Sequence, residues 1–268
     1  MPTLQESFDC DRPVALVTGS GAPRVGRAIA SLLAKFGCDL ALHANSSVEA
    51  AHAAAAQLQE TTGCRAITVT GSLEEESTAS HLVEETIQQF DRIDILVNSA
   101  AIWYPTKFAE VTADQIRRYF EINTIASFLA CRAAGQQMAR QSGGGSIVNI
   151  GDWATVRPYL DHAAYFPSKG AVETMTRSLA VELAQLNPRI RVNCIQPGPV
   201  LLGDDVSQEH VETIANSTLV KRVGQPEHVA HAVRFLCEND FITGICLPVD
   251  GGRSIFAPDG LQVGMNTG

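Results

Sequence analysis

Apolar residues fall along this chain in two alternating rhythms. Runs of four to six residues, rich in Val, Ile and Leu and lacking a polar face, occur at 14–17, 40–43, 66–69, 93–97, 146–150, 190–195 and 245–249. A strand apolar on both sides is buried on both sides, as in a parallel sheet covered by helices. Between these runs the apolar positions space by three and four at 25–35, 48–60, 74–89, 113–141 and 164–186, which predicts helices. The β-α alternation predicts right-handed crossovers and places the chain in the α/β class. The expected fold is a single Rossmann-type doubly wound domain, a parallel seven-stranded sheet with helices on both faces. No shift in composition marks a linker. Residues 13–268 therefore read as one domain, and residues 1–12, MPTLQESFDCDR, as a polar N-terminal tail. The polar, weakly periodic segment 201–217 reads either as a mobile substrate lid or as a surface loop.

Composition narrows the function. The net charge is −9 with Lys and Arg scattered, and no basic block appears, so nucleic acid is not expected as a partner. No apolar run reaches membrane-spanning length, and the first residues lack the basic start and apolar run of a signal peptide. The seven cysteines are irregularly spaced and form no CxxC pair, the pattern of reduced thiols in a cytoplasmic protein. Cys38, Cys194 and Cys246 lie among apolar neighbours and read as core. The histidines show no ligand spacing, and no metal is expected.

The first strand opens into VALVTGSGAPRVGRAIA, a glycine-rich turn followed by a helix start. Glycines let backbone amides approach a pyrophosphate, and the helix N-terminus favours its charge. The second strand ends in LHANSSVEAA, so His43, Asn45, Ser46 and Ser47 stand where an NAD site usually places a carboxylate on the ribose. Donors without a carboxylate would accept a 2′-phosphate, which points to NADP(H); Ser46 or Ser47 would serve equally as a helix cap. Further on, Tyr165 and Lys169 lie four residues apart, one helical turn, with Asp152 thirteen residues before the tyrosine. An ammonium on the same face would lower the tyrosine's pKa.

These pieces resemble the short-chain dehydrogenase/reductases over nearly the whole chain. The matching segments are TGSGAPRVG, VNSAA, Asn123 within EINTIASF, YFPSK, RVNCIQPG and ITGICLPVDGG, in the family's order. Within the family the chain is similar to the pteridine and dihydromonapterin reductases. The narrower match rests on Arg24 in the turn, His43 with Asn45, Ser46 and Ser47, Trp103 in AAIWYP, Asp152 in place of the usual catalytic Ser, and VDGGR with Arg253.

The resemblance implies a cofactor site built from Thr18, Gly19, Arg24, Val25 and Gly26, then Ser72 and Leu73, then Asn98, Ser99 and Ala100, and finally Tyr165, Lys169, Pro197, Gly198 and Val200. It further implies that Lys169 holds the nicotinamide ribose and that Asn123 holds a backbone kink and a proton-resupplying water chain. It implies a homo-tetramer. The chain departs from the family in a first turn one residue longer, with Pro23. It also has Ser72 for an Asp at the adenine, Ser99 for the second Asn of NNAG, Ala101 for its Gly, and no Thr after Pro197 and Gly198.

Asp152 is the informative departure. Hydride addition to a carbonyl creates an alkoxide, which a carboxylate at about 4 Å opposes by roughly 1 kcal/mol in water and by several in a shielded site. The sign reverses for a C=N bond, whose nitrogen must gain a proton. Asp152, Tyr165, Lys169 and Asn123 are thus the expected catalytic set. Arg24, Trp103, Asp152, Tyr159 and Tyr165 are the expected substrate contacts, with Trp103 stacking a flat pterin or folate against the nicotinamide. The structural alternatives are a cap or an Arg157 ion pair for Asp152, a core position for Trp103, and a solvated helix start for Arg24. A carbonyl reductase of 3-oxoacyl thioesters, sugars or steroid-like ketones is the first alternative function. A catalytically silent, cofactor-binding regulator is the second.

Overall fold

The structure is a computed structural model that describes residues 2–203 and 206–256. Seven parallel strands form one sheet: β1 (Val14–Val17), β2 (Asp39–Ala44), β3 (Ala66–Thr70), β4 (Ile95–Asn98), β5 (Gly145–Ile150), β6 (Ile190–Pro197) and β7 (Cys246–Val249). Their spatial order is β3-β2-β1-β4-β5-β6-β7. The order reverses between β1 and β4, and there the loops leaving the two strands part to open a crevice at the carboxyl ends.

Alternation along each strand supplies two cores. Ala15 and Val17 of β1 face one layer with Leu40, Leu42, Ile95 and Val97. That layer is covered by α2 (Val25–Lys35), α3 (Val48–Thr62) and α9 (Pro226–Glu238). Val14 and Leu16 face the other layer, under α4 (Glu76–Phe90), α6 (Ala126–Met138) and α7 (Tyr165–Leu186). With both faces covered, β1, β2, β4 and β5 are buried along their whole length, which is why they carry no polar stripe.

Three expectations change. The tail 1–12 is not a tail: Leu4–Phe8 forms helix α1, capped by the reciprocal Thr3–Glu6 pair, and Leu4 and Phe8 are each only 1% exposed in the first core. The helical region 113–141 is two helices, α5 (Ala113–Phe120) and α6, joined by a π-turn over Glu121–Ile125. Helix α9 lies in a stretch where no helix was expected. In the segment 201–217, residues 204–205 lie outside the described residues. Gln208–Asn216 forms helix α8, none of whose residues is buried. No helix among the described residues is long and apolar enough to cross a membrane.

Candidate active site

The loops after β1, β2, β3, β4, β5 and β6 wall a cavity of about 470 Å³ at the switch point. The first wall is the glycine turn. A Cβ on Gly26 would lie 2.7 Å from the Gly19 carbonyl oxygen, and one on Gly19 would lie 2.8 Å from the Ala100 Cα. Backbone therefore packs on backbone here, and only glycine fits. Thr18 stands behind this contact: its hydroxyl accepts from the amides of Ser99 (3.0 Å) and Ala100 (3.1 Å), tying the β1 turn to the β4 turn. Arg27 closes the turn from outside, with Nε donating to the Ser20 carbonyl at 2.8 Å and Nη2 to those of Gly21 and Ala50. Arg24, Val25 and Gly26 line the cavity at the helix start.

At the end of β2, Asn45, Ser46 and Ser47 line the wall. Ser47 occupies the cap position of α3, yet its side chain makes no cap bond. Its hydroxyl remains available to a ligand. His43 is placed differently from the expectation. It lines the cavity, but both ring nitrogens are engaged by backbone. Nδ1 accepts from the Gly19 amide (3.1 Å), which leaves the proton on Nε2, facing the Gly71 carbonyl at 3.0 Å. Burial lowers its pKa, so the ring is a neutral brace between turns rather than a phosphate donor. Ser72 and Leu73 after β3 and Ser99 and Ala100 after β4 also line the cavity, as do Pro197 and Gly198 at the end of β6. Asn98 and Val200 do not. Asn98 is buried behind the wall, donating to Asn149 Oδ1 at 2.9 Å, and Val200 belongs to the first core.

The reactive end lies between β5 and α7. Asp152 follows β5 and caps the short turn Trp153–Thr155, its Oδ1 accepting from the Ala154 amide at 2.8 Å. Its other oxygen, Oδ2, accepts from the Tyr165 hydroxyl at 2.7 Å. One oxygen thus makes the cap and the other meets Tyr165. The Arg157 alternative does not, because Arg157 donates to the carbonyls of Arg253 and Phe256. Burial raises the Asp152 pKa, against the opposing pull of the Ala154 amide, Tyr165, Lys169 and His162. Lys169, one turn into α7, donates to the Ile150 carbonyl at 2.7 Å and is 4% exposed; burial lowers its pKa.

The expected lowering of the Tyr165 pKa by Lys169 is reversed. Burial, then the Asp152 charge and hydrogen bond, raise Tyr165 well above the ordinary value. Tyr165 is a neutral hydroxyl that donates a hydrogen bond to Asp152. Asn123 sits in the π-turn, its Oδ1 accepting from the Ile102 amide (2.9 Å) and its Nδ2 donating to the Ile102 carbonyl (3.2 Å) and to Ser168 Oγ (3.1 Å). It braces the loop after β4 against α7 and lies outside the cavity wall.

Trp103 is also displaced from its expected place. Its ring stacks on His162 (centroids 4.7 Å, 22°) and its Nε1 donates to the Tyr159 hydroxyl at 3.0 Å. The face and the hydroxyl together hold the indole, half-exposed, beside the cavity, and Tyr159 is held there with it. The wall at this point is Ile102 and Tyr104. Tyr104 is fixed by the Tyr119 hydroxyl, which donates to its carbonyl at 2.9 Å. Sequence reading also missed the Arg118–Glu74 ion pair (2.7 Å), both members of which line the cavity. The two lie far apart in the chain, and no local spacing announces their meeting. Among the described residues no group of His, Cys, Asp or Glu could hold a metal.

Comparison with known proteins finds relatives over most of the chain. A family model described as "Enoyl-(Acyl carrier protein) reductase" matches residues 22–254. L-Rhamnose 1-dehydrogenase (NAD(P)(+)) from Sphingomonas sp. is 33% identical over 246 residues, covering 90% of this chain and 95% of its own. Pteridine reductase 1 from Leishmania tarentolae is 34% identical over 282 residues, covering 91% and 96%. Among solved structures, a blue fluorescent protein from a metagenomic library in complex with NADPH superposes with a TM-score of 0.81 at 32% identity, covering 90% of this chain and 97% of that one.

Proposed function

Because the chain belongs to the short-chain dehydrogenase/reductase family, we propose that it is an NADPH-dependent reductase transferring hydride to the C=N bond of a pterin, of the dihydrobiopterin, dihydromonapterin or dihydrofolate type. The carrying observation is the 2.7 Å bond from Tyr165 to Asp152. A carboxylate with a raised pKa faces the point where charge develops. For an alkoxide that charge is wrong. For a nitrogen that must gain a proton it is right.

The residues present fit the cofactor. The glycine turn admits a pyrophosphate to its backbone amides, and Arg24 with the free Ser47 hydroxyl supplies donors for a 2′-phosphate. No carboxylate lines the wall at the end of β2 to oppose it. The relative solved with NADPH supports the same choice. When bound, NADPH supplies the hydride.

The chain's own groups supply the proton. Asp152 in its protonated form gives its proton to the ring nitrogen, and the resulting carboxylate pairs with the cationic C=N⁺. Hydride from bound NADPH would discharge that cation and leave a neutral amine, with Asp152 opposite the nitrogen until then. Tyr165 keeps Asp152 oriented and returns the proton from outside. Lys169 and Asn123 hold the α7 start and the loop after β4 in register for this exchange, and Ile102 and Tyr104 form the wall against which a flat ring lies. Apolar side chains exposed on α6 and α7, Phe128 and Val181, support assembly as a homo-tetramer, which light scattering tests.

A second reading, reduction of a sugar or 3-oxoacyl carbonyl, draws on the similarity to L-rhamnose 1-dehydrogenase. One experiment separates the two. NADPH oxidation is followed with dihydrobiopterin, dihydrofolate and a 3-oxoacyl thioester, for the wild type and Asp152→Ser. Pterin turnover that collapses in the variant supports the C=N reading. Thioester turnover with inert pterins overturns it. Cofactor binding without turnover of any of the three favours a silent regulator.

A further inference from the structure

Beside the cavity lies a cluster of rings that the proton chemistry leaves unused. Trp153, the residue after Asp152, stacks with Tyr159 (centroids 6.4 Å, 27°), and Tyr159 meets His162 edge-on at 4.9 Å. The Arg253 guanidinium lies over the Trp153 ring at 4.7 Å. Five buried side-chain polar atoms lack a hydrogen-bond partner among the described residues, and two of them belong to this cluster: Arg253 Nη1 and His162 Nε2. His162 donates from Nδ1 to the Leu160 carbonyl at 2.9 Å, so its orphan Nε2 is an acceptor, in a side chain 7% exposed.

Among the described residues the guanidinium also forms no ion pair within 4 Å. Asp250, whose field reaches it, commits Oδ1 to the Gly252 amide (2.9 Å) and Oδ2 to the Ser254 amide (2.7 Å). Arg157, alongside, donates to main-chain carbonyls and pairs with no carboxylate among the described residues. Burial, then the Arg157 charge, hold Arg253 below the ordinary arginine value, against the opposing pull of Tyr159 and Asp250. Buried polar groups are ordinarily satisfied. A donor and an acceptor left open on two sides of Tyr159, next to Asp152 and in a chain of net charge −9, mark a place that a ligand completes.

We propose that Arg253, seated on Trp153 and backed by Arg157, is a subsite for an anionic group, carboxylate or phosphate, carried on the tail of the substrate. The proposal rests on the pterin reading for the identity of the substrate's reacting end. The planar fork of Arg253 suits bidentate capture of such an anion. Trp153 and Tyr159 offer a face to a flat spacer, and His162 Nε2 accepts from a spacer N–H. The favoured substrates are thus pterins with an acidic tail rather than compact neutral ones.

The test pairs kinetics with direct binding. With saturating NADPH, Arg253→Gln raises KM for dihydrofolate, which carries carboxylates, by about tenfold or more, as expected for loss of a hydrogen bond to a charged group. It leaves dihydrobiopterin, which is neutral, nearly unchanged in kcat and KM, and Arg253→Lys recovers only part of the loss. Both tryptophans of the chain, Trp103 and Trp153, lie in the cluster, so intrinsic fluorescence reports occupancy without turnover. In the NADP⁺-loaded enzyme, p-aminobenzoylglutamate quenches this fluorescence in the wild type and much less in Arg253→Gln. Competition by inorganic phosphate tells whether phosphate is accepted as well as carboxylate. Equal losses on both pterins, or quenching unchanged by the substitution, overturn the subsite. If no pterin is turned over but p-aminobenzoylglutamate still binds through Arg253, the subsite stands and the pterin reading falls.

Discussion

Asp152→Asn is the substitution that most directly probes the proton chemistry. Asparagine keeps the shape. Its Oδ1 still accepts from the Ala154 amide, and its amide can donate to the Tyr165 oxygen in place of the 2.7 Å bond it loses. What disappears is a transferable proton and the negative charge it leaves behind. A carboxylate about 4 Å from a cationic nitrogen is worth about 4 kcal/mol at an effective dielectric of 20, near a thousandfold in rate. General acid catalysis by one side chain is independently worth about 10²–10⁴. The expected result is a fall of about 10³ in kcat for dihydrobiopterin, read as loss of NADPH absorbance, with no fall for a 3-oxoacyl thioester.

The same variant carries a stability signature. Burial raises the Asp152 pKa from 3.8, so the folded state holds this proton more tightly than the unfolded one. As pH rises from the ordinary carboxylate range through the folded value, the unfolded state gives up its proton first and stability falls. Asp152→Asn removes that loss. Its thermal midpoint matches the wild type in acid and exceeds it at neutral pH. Pterin turnover within about threefold of wild type, or a midpoint lowered at neutral pH, would refute the reasoning.

Three further outcomes follow from the same geometry. Tyr165→Phe removes a bond that lowers the Asp152 pKa, so the alkaline fall of kcat/KM moves to higher pH while the rate drops by about 10²; an unmoved limb would show that Asp152 is not the titrating acid. Ser47→Ala and Arg24→Ala each raise KM for NADPH by roughly tenfold without affecting NADH, since each removes a donor to a charged phosphate; equal effects on both cofactors would place these residues elsewhere. Phe8→Ala empties a site in the first core and lowers stability by about 3–5 kcal/mol in urea unfolding, whereas a chain whose first residues were a solvated tail would not respond.

Much of the scaffold was legible in the chain. The seven strands announce themselves because a parallel strand covered on both faces has no polar side, and the structure extends or trims each by no more than a few residues. Helix α9 was legible too, though unread: Pro226 takes the first turn, and Val229, Val233 and Leu236 recur on one buried face. Helix α1 carries the T-x-x-E signature of a capping box in only five residues, too few for a period to show above a polar background.

Residue types and spacing paired Tyr165 with Lys169, because one helical turn is a local relation, and the family resemblance added Asp152 in the place of the usual Ser. The chain alone also determined that a glycine turn opens on a helix and that donors, not a carboxylate, end β2. Tertiary structure decided the rest. It spent both nitrogens of His43 on backbone, drew Trp103 onto His162 and off the cavity wall, and reversed the sign of the Tyr165 shift by burying the hydroxyl against Asp152 while Lys169 turned to Ile150. Each of these depends on which partner lies within about 3 Å across strands and loops distant in sequence, and on how much water that meeting excludes. Local pattern encodes neither quantity.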